Sequence, residues 1–130
     1  MSEIPDFWPE DIGTSTVVTP VSVLKQEAAY LGPKTKQLLK AEVRTTNNGQ
    51  NFIQSFFIIA PGLSNYQFQL FQLVHSITLY PAQLTWQSAV VIIADEKQLT
   101  EKLKEVLSSP QTRQIVHALI AQIGVQVAES

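Results

Sequence analysis

Residues 39–59 read LKAEVRTTNNGQNFIQSFFII, and the dipeptide Asn48-Gly49 near their centre decides how the rest of the chain is read. A type I′ turn needs positive φ at both central residues, and Asn-Gly supplies it at little steric cost. Between two runs of β-forming residues it predicts a hairpin with a two-residue loop. That loop sets Thr46 opposite Asn51, Val43 opposite Gln54 and Ala41 opposite Phe56. Because side chains alternate along a strand, Leu39, Ala41, Val43, Phe52, Phe56 and Ile58 share one face, which should meet a helix. The other face carries Lys40, Glu42 and Arg44 on the first strand but Ile53, Phe57 and Ile59 on the second. A strand that is apolar on both sides belongs inside a sheet rather than at its edge. A register slip of one residue would exchange the two faces.

Downstream, residues 60–65 (Ala-Pro-Gly-Leu-Ser-Asn) have loop chemistry, and Tyr66 to Tyr80 admits two readings. As a helix it would align Tyr66, Leu70, Leu73, Val74 and Ile77, with Ser64 and Gln67 as a capping box. As a strand it needs a bulge near Leu70-Phe71 to keep its apolar side inward. The regular alternation of Gln and the Ile-Thr-Leu-Tyr tail favour the strand. Pro81 ends that element, and Leu84 to Ile93 reads as a buried fourth strand.

Helices flank this region. Thr19-Pro20 is a start signal, since a Thr side chain can accept from an orphan N–H and Pro loses no bond at the first helical position. Val21, Leu24, Ala28 and Leu31 follow on one face, and Gly32-Pro33 predicts the end at Leu31. Asp95 predicts a cap for a helix with Leu99, Leu103, Val106 and Leu107 in one stripe. Ser109-Pro110 opens a last helix with the stripe Ile115, Val116, Leu119, Ile120 and Ile123, ending near Gly124. The expected fold is α+β: an N-terminal helix, a four-stranded antiparallel meander and two C-terminal helices. Residues 1–18 read as an extended arm, 19–126 as one domain and 127–130 as a frayed tail. The arm carries Glu3, Asp6, Glu10 and Asp11 and the pair Phe7-Trp8, two aromatics that a merely solvated tail rarely contains.

Charged residues are 15% of the chain against a usual ~25%, so amides and hydroxyls must cover much of the surface. The net charge of −2 and the lack of a basic run disfavour nucleic acid as a partner. No apolar stretch approaches membrane-spanning length and the start Met-Ser-Glu-Ile-Pro is unlike a signal peptide, so a cytoplasmic location with no membrane partner is expected. Without Cys there is no thiolate nucleophile and no Cys-ligated metal, and two His leave most His-based metal sites short of ligands. Neither a metal site nor a cofactor is expected. The five glycines are scattered singly, which removes a phosphate-binding loop. A metal-dependent nuclease would want acids on adjacent strands, and residues 51–59 contain none.

His75 is the most conspicuous ionisable residue, interrupting an apolar run, and Tyr66, Tyr80 and Trp86 are candidates to join it around a small-ligand or simple hydrolytic pocket. The plainer reading is a half-buried His donating to a backbone carbonyl. Ser76 and Thr78 are too common to count as a nucleophile, and His117 reads as a boundary residue on the last helix. The Gln cluster (67, 69, 72, 83, 87) reads as solvated sheet surface. Phe7 and Trp8, together with the row Ile53, Phe57 and Ile59, suggest contact with a protein or a second copy of the chain. No catalytic residue is assigned. The leading expectation is a non-catalytic interaction or assembly domain that self-associates.

Overall fold

The computed structural model describes residues 4–129 of the 130-residue chain, with side chains through Val125; Met1 to Glu3 of the arm and Ser130 of the tail lie outside the described residues. Helix α1 (Pro20–Lys34) leads into strands β1 (Lys40–Asn47), β2 (Phe52–Ala60), β3 (Tyr66–His75), β4 (Ala82–Trp86) and β5 (Ala89–Ile93), followed by helices α2 (Glu96–Leu107) and α3 (Pro110–Glu129). The strands form one antiparallel sheet in sequence order. A three-residue 3-10 turn, Pro61–Leu63, joins β2 to β3.

The β1–β2 register differs from the expected one. Asn47 stands opposite Phe52, Val43 opposite Phe56 and Ala41 opposite Ile58, so residues 48–51 form a four-residue loop. The cause is the Asn48 side chain, whose oxygen accepts from the N–H groups of Gln50 at 3.0 Å and Asn51 at 2.8 Å and holds the loop two residues wider than a tight turn. Gly49 supplies the positive φ, at 90°. The shift is an even number of residues along each pairing, so the face assignment survives intact.

The expected fourth strand is two strands. Gln87 and Ser88 adopt φ of 51° and 69°, which places the two-residue reversal there and pairs Trp86 with Ala89. Neither residue favours positive φ, and holding non-glycine residues there costs about 1–2 kcal/mol each. The pair Gln87→Asn with Ser88→Gly is therefore expected to raise stability by about 1–2 kcal/mol, read as a higher urea midpoint at unchanged slope.

Strand β3 carries the expected bulge. Phe56 pairs with Phe71 and Phe57 with Gln69, leaving Leu70 as the extra residue. This keeps Tyr66, Phe68, Phe71, Leu73 and His75 on one side. The strand stops at His75, so the Ile-Thr-Leu-Tyr segment is not β: Leu79 N–H donates to Ser76 O at 3.0 Å, Leu79 has a φ of 75°, and Ile77 is exposed.

Helix α1 runs past Gly32-Pro33 to Lys34, because a proline in the last turn removes only one N–H. The end is made by Thr35, whose hydroxyl donates to Leu31 O at 2.9 Å and accepts from Leu39 N–H at 3.1 Å, followed by Lys36 and Gln37 at positive φ. Gly32 admits the Gln37 side chain, whose oxygen lies 2.8 Å from where a Cβ would stand. Thr19 and Asp95 cap α1 and α2 as expected, accepting from Ser22 N–H and Gln98 N–H. Helix α3 continues through Gly124, and its backbone stays helical across residues 127–129, where the sequence suggested fraying.

All three helices share one side of the sheet. The core joins Leu24 and Ala28 of α1 with Phe56, Ile58, Phe71, Leu73, Ala82, Leu84 and Ile93 of the sheet, Leu99, Leu103 and Val106 of α2, and Leu119 and Ile123 of α3. Every sheet residue in that set lies on the face containing Val43 and Phe56, and the bulge residue Leu70 joins the same cluster. Among the described residues no helix is long and apolar enough to cross a membrane.

Candidate functional site

His75 is 5% exposed and lies on the helix side of β3. Its Nδ1 is 2.9 Å from Ser76 O, a carbonyl that can only accept, so Nδ1 carries the proton. Nε2 is then the acceptor, and Gln54 Nε2 donates to it at 3.2 Å. Gln54 Oε1 in turn accepts from the Thr45 hydroxyl. Phe52 stacks on the imidazole with ring centroids 5.6 Å apart. Both ring nitrogens are occupied in a relay that joins three adjacent strands.

Of the residues grouped with His75 at the sequence level, Tyr66 and Trp86 are not brought around it, and Tyr80 makes no hydrogen bond to it. Tyr66 is at the far end of β3 and half exposed. Trp86, at the end of β4, packs beneath α2, with Lys102 Nζ 5.6 Å from its ring centroid. Tyr80 lies in the β3–β4 connection near the start of α2. Its hydroxyl is buried with no hydrogen-bond partner. Burial pushes this phenol above its ordinary value of 10.0, and the carboxylates of Glu96 and Asp95 add to the shift. Above pH ~10 the unfolded chain therefore releases a proton that the folded chain keeps, so stability falls as pH rises through that range. Tyr80→Phe is expected to flatten that fall without lowering stability at pH 7, since it deletes an unpaired polar group; parallel urea titrations at neutral and alkaline pH measure both.

The surface free of helices is the opposite face of the sheet. Register aligns Thr46, Ile53, Val74, Gln83 and Ile92 in one row across all five strands, and Arg44, Ser55, Gln72, Thr85 and Val90 in the next. Among the strand residues, Lys40, Glu42 and Arg44 of β1 are the ionisable side chains on this face; β2 to β5 contribute none. Val90 and Ile92 are 60% and 58% exposed on the edge strand, while Ile53, Phe57 and Val74 are half-buried. Ile59, by contrast, is buried, although it stands outside the core cluster. The Arg44 guanidinium lies 4.4 Å from the Phe57 ring centroid and donates to Gln67 at 2.8 Å, so the charge folds over the β1 end of the face. Gln67, Gln69, Gln72 and Gln83 line this face and meet solvent, and Gln87 is in the β4–β5 turn.

A second feature was not legible in the sequence. Between α1, α2 and α3 the sheet floors an open groove of about 500 Å³, with Phe56, Ile58 and Leu70 beneath and Val23, Tyr30 and Leu103 among its walls. Glu27, Lys34 and Lys104 are its charged groups. A shallower opening at the α2–α3 junction includes Arg113 and His117. Neither is lined by His75, Tyr66, Tyr80 or Trp86. The stripe positions of α1 and α2 supply the apolar walls of the groove, but helical spacing alone does not tell a filled seam from an open one. Phe7 and Trp8 are 81% and 73% exposed in the arm, where residues 4–18 form no helix or strand. Among the described residues no three His, Asp or Glu side chains converge as metal ligands. No family model, curated protein or solved structure matches the chain.

Proposed function

We propose that the chain is a non-catalytic assembly domain that pairs with a second copy of itself through the helix-free face of its sheet. The observation that carries this reading is the composition of that face: four strands that place no ionisable side chain on it, crossed by Ile53, Val74, Val90 and Ile92. An antiparallel sheet that faces water ordinarily alternates apolar-in with polar-out and protects its edge strand with charge. Neither device is present on β5. A two-fold axis through the face would set two identical sheets together at the ~10 Å spacing of a sandwich, and self-complementary contact is the commonest route to a homodimer. His75, with both nitrogens engaged and lining neither the groove nor the α2–α3 opening, supports a structural role better than a hydrolytic or ligand-orienting one.

Light scattering across a concentration series tests the proposal. The chain is expected to move from monomer to dimer, and Ile92→Lys, an exposed position whose change leaves the core untouched, should raise the dissociation constant at least about tenfold. A strict monomer at every concentration would defeat the reading. A monomer that binds a different protein through the same face would replace self-association with recognition of another partner.

A further inference from the structure

We propose that the groove between α1, α2 and α3 receives the Phe7–Trp8 arm of a second copy of this chain. The inference rests on the assembly reading only in taking the partner to be the same chain; the surfaces are different. Three observations carry it. The groove has an apolar floor of Phe56, Ile58 and Leu70 and a volume of about 500 Å³, within the range of roughly 300 to 1,000 Å³ typical of sites that enclose a ligand of a few rings. The arm holds two large aromatics, both mostly exposed, and aromatic side chains inserted into pockets are the usual anchors of a protein contact. The charges are opposite in sign: Lys34 and Lys104 outnumber Glu27 around the groove, whereas Asp6, Glu10 and Asp11 flank the two rings of the arm.

The arm is built to present these groups. Trp8 N–H donates to Asp6 Oδ1 at 2.9 Å, and Ile12 N–H donates to Pro9 O at 3.1 Å, so the aromatic pair lies beside a local turn. Residues 4–18 are all exposed, so among the described residues the arm does not occupy its own groove. Eleven residues from Pro9 to Thr19 can span up to ~36 Å, enough to cross to a neighbouring molecule. Reciprocal exchange of two arms closes with two-fold symmetry and leaves no free arm.

Trp8 reports on its own docking. In the full chain carrying Trp86→Phe, it is the only indole, and its emission and quenching by acrylamide are followed from nanomolar to high-micromolar protein. Docking in a second copy is expected to shift the emission to the blue and to suppress quenching as concentration rises. Lys34→Glu combined with Lys104→Glu, both at exposed positions, should move that transition to at least about tenfold higher concentration, as should Phe7→Ala in the arm. The same transition should persist with Ile92→Lys, which alters only the sheet face. Water-like emission at all concentrations would overturn the inference, and so would a blue emission independent of concentration, which would place the arm in its own groove. Loss of the transition with Ile92→Lys but not with the lysine reversals would place Trp8 at the sheet face, which also overturns it.

Discussion

Phe71→Ala is expected to destabilise the fold by about 3–5 kcal/mol, enough to leave little of the ~5–15 kcal/mol typical of a domain this size. Phe71 is 2% exposed at the centre of β3 and stacks on Phe56 at 4.8 Å between ring centroids and 16° between ring planes. It follows the bulge residue Leu70, so its inward direction depends on that extra residue. Removing the ring leaves a cavity between β2 and the helices that neighbouring side chains can only partly fill. Urea unfolding monitored by circular dichroism should show a lower midpoint at unchanged slope. Leu70→Ala should cost less, because its wall of the groove is already open.

Gln54→Leu is expected to cost about 2–3 kcal/mol although it replaces a polar residue with an apolar one. Gln54 is 2% exposed and is the only donor to His75 Nε2, so the substitution strands a buried acceptor. His75→Phe in the same chain removes that acceptor, and the double variant should recover most of the loss, because deleting both partners of a buried hydrogen bond is nearly neutral. Additive losses in the double-mutant cycle would show that the relay does not couple the two residues.

The parts of this fold that were legible in the sequence share a physical cause. The bulge near Leu70 could be read because Phe68 and Phe71 both need the core and an unbroken alternation cannot deliver both. The faces of β1 and β2 survived an error in loop length because the error was even. Gln87-Ser88 could not be read as a reversal, since neither residue favours positive φ and the apolar run on either side looks continuous. Gly32-Pro33 and Gly124 looked like helix ends, yet Gly32 answers a close approach by Gln37 and both helices run on past these glycines. At the candidate sites, alternation gave the composition of each strand face but not that all three helices take the same one, and the groove depends on how those helices divide it. The Gln54–His75 relay had a faint signal, a glutamine among Phe52, Phe56 and Ile58 on the inward side of β2, but its meaning needs the pairing of β2 with β3.

The helix-free face is tested most directly by isotope-filtered NMR on an equal mixture of labelled and unlabelled chain. Contacts between copies should arise from the methyl groups of Val74, Val90 and Ile92. Intermolecular contacts confined to other surfaces, or none at millimolar concentration, would contradict pairing through that face.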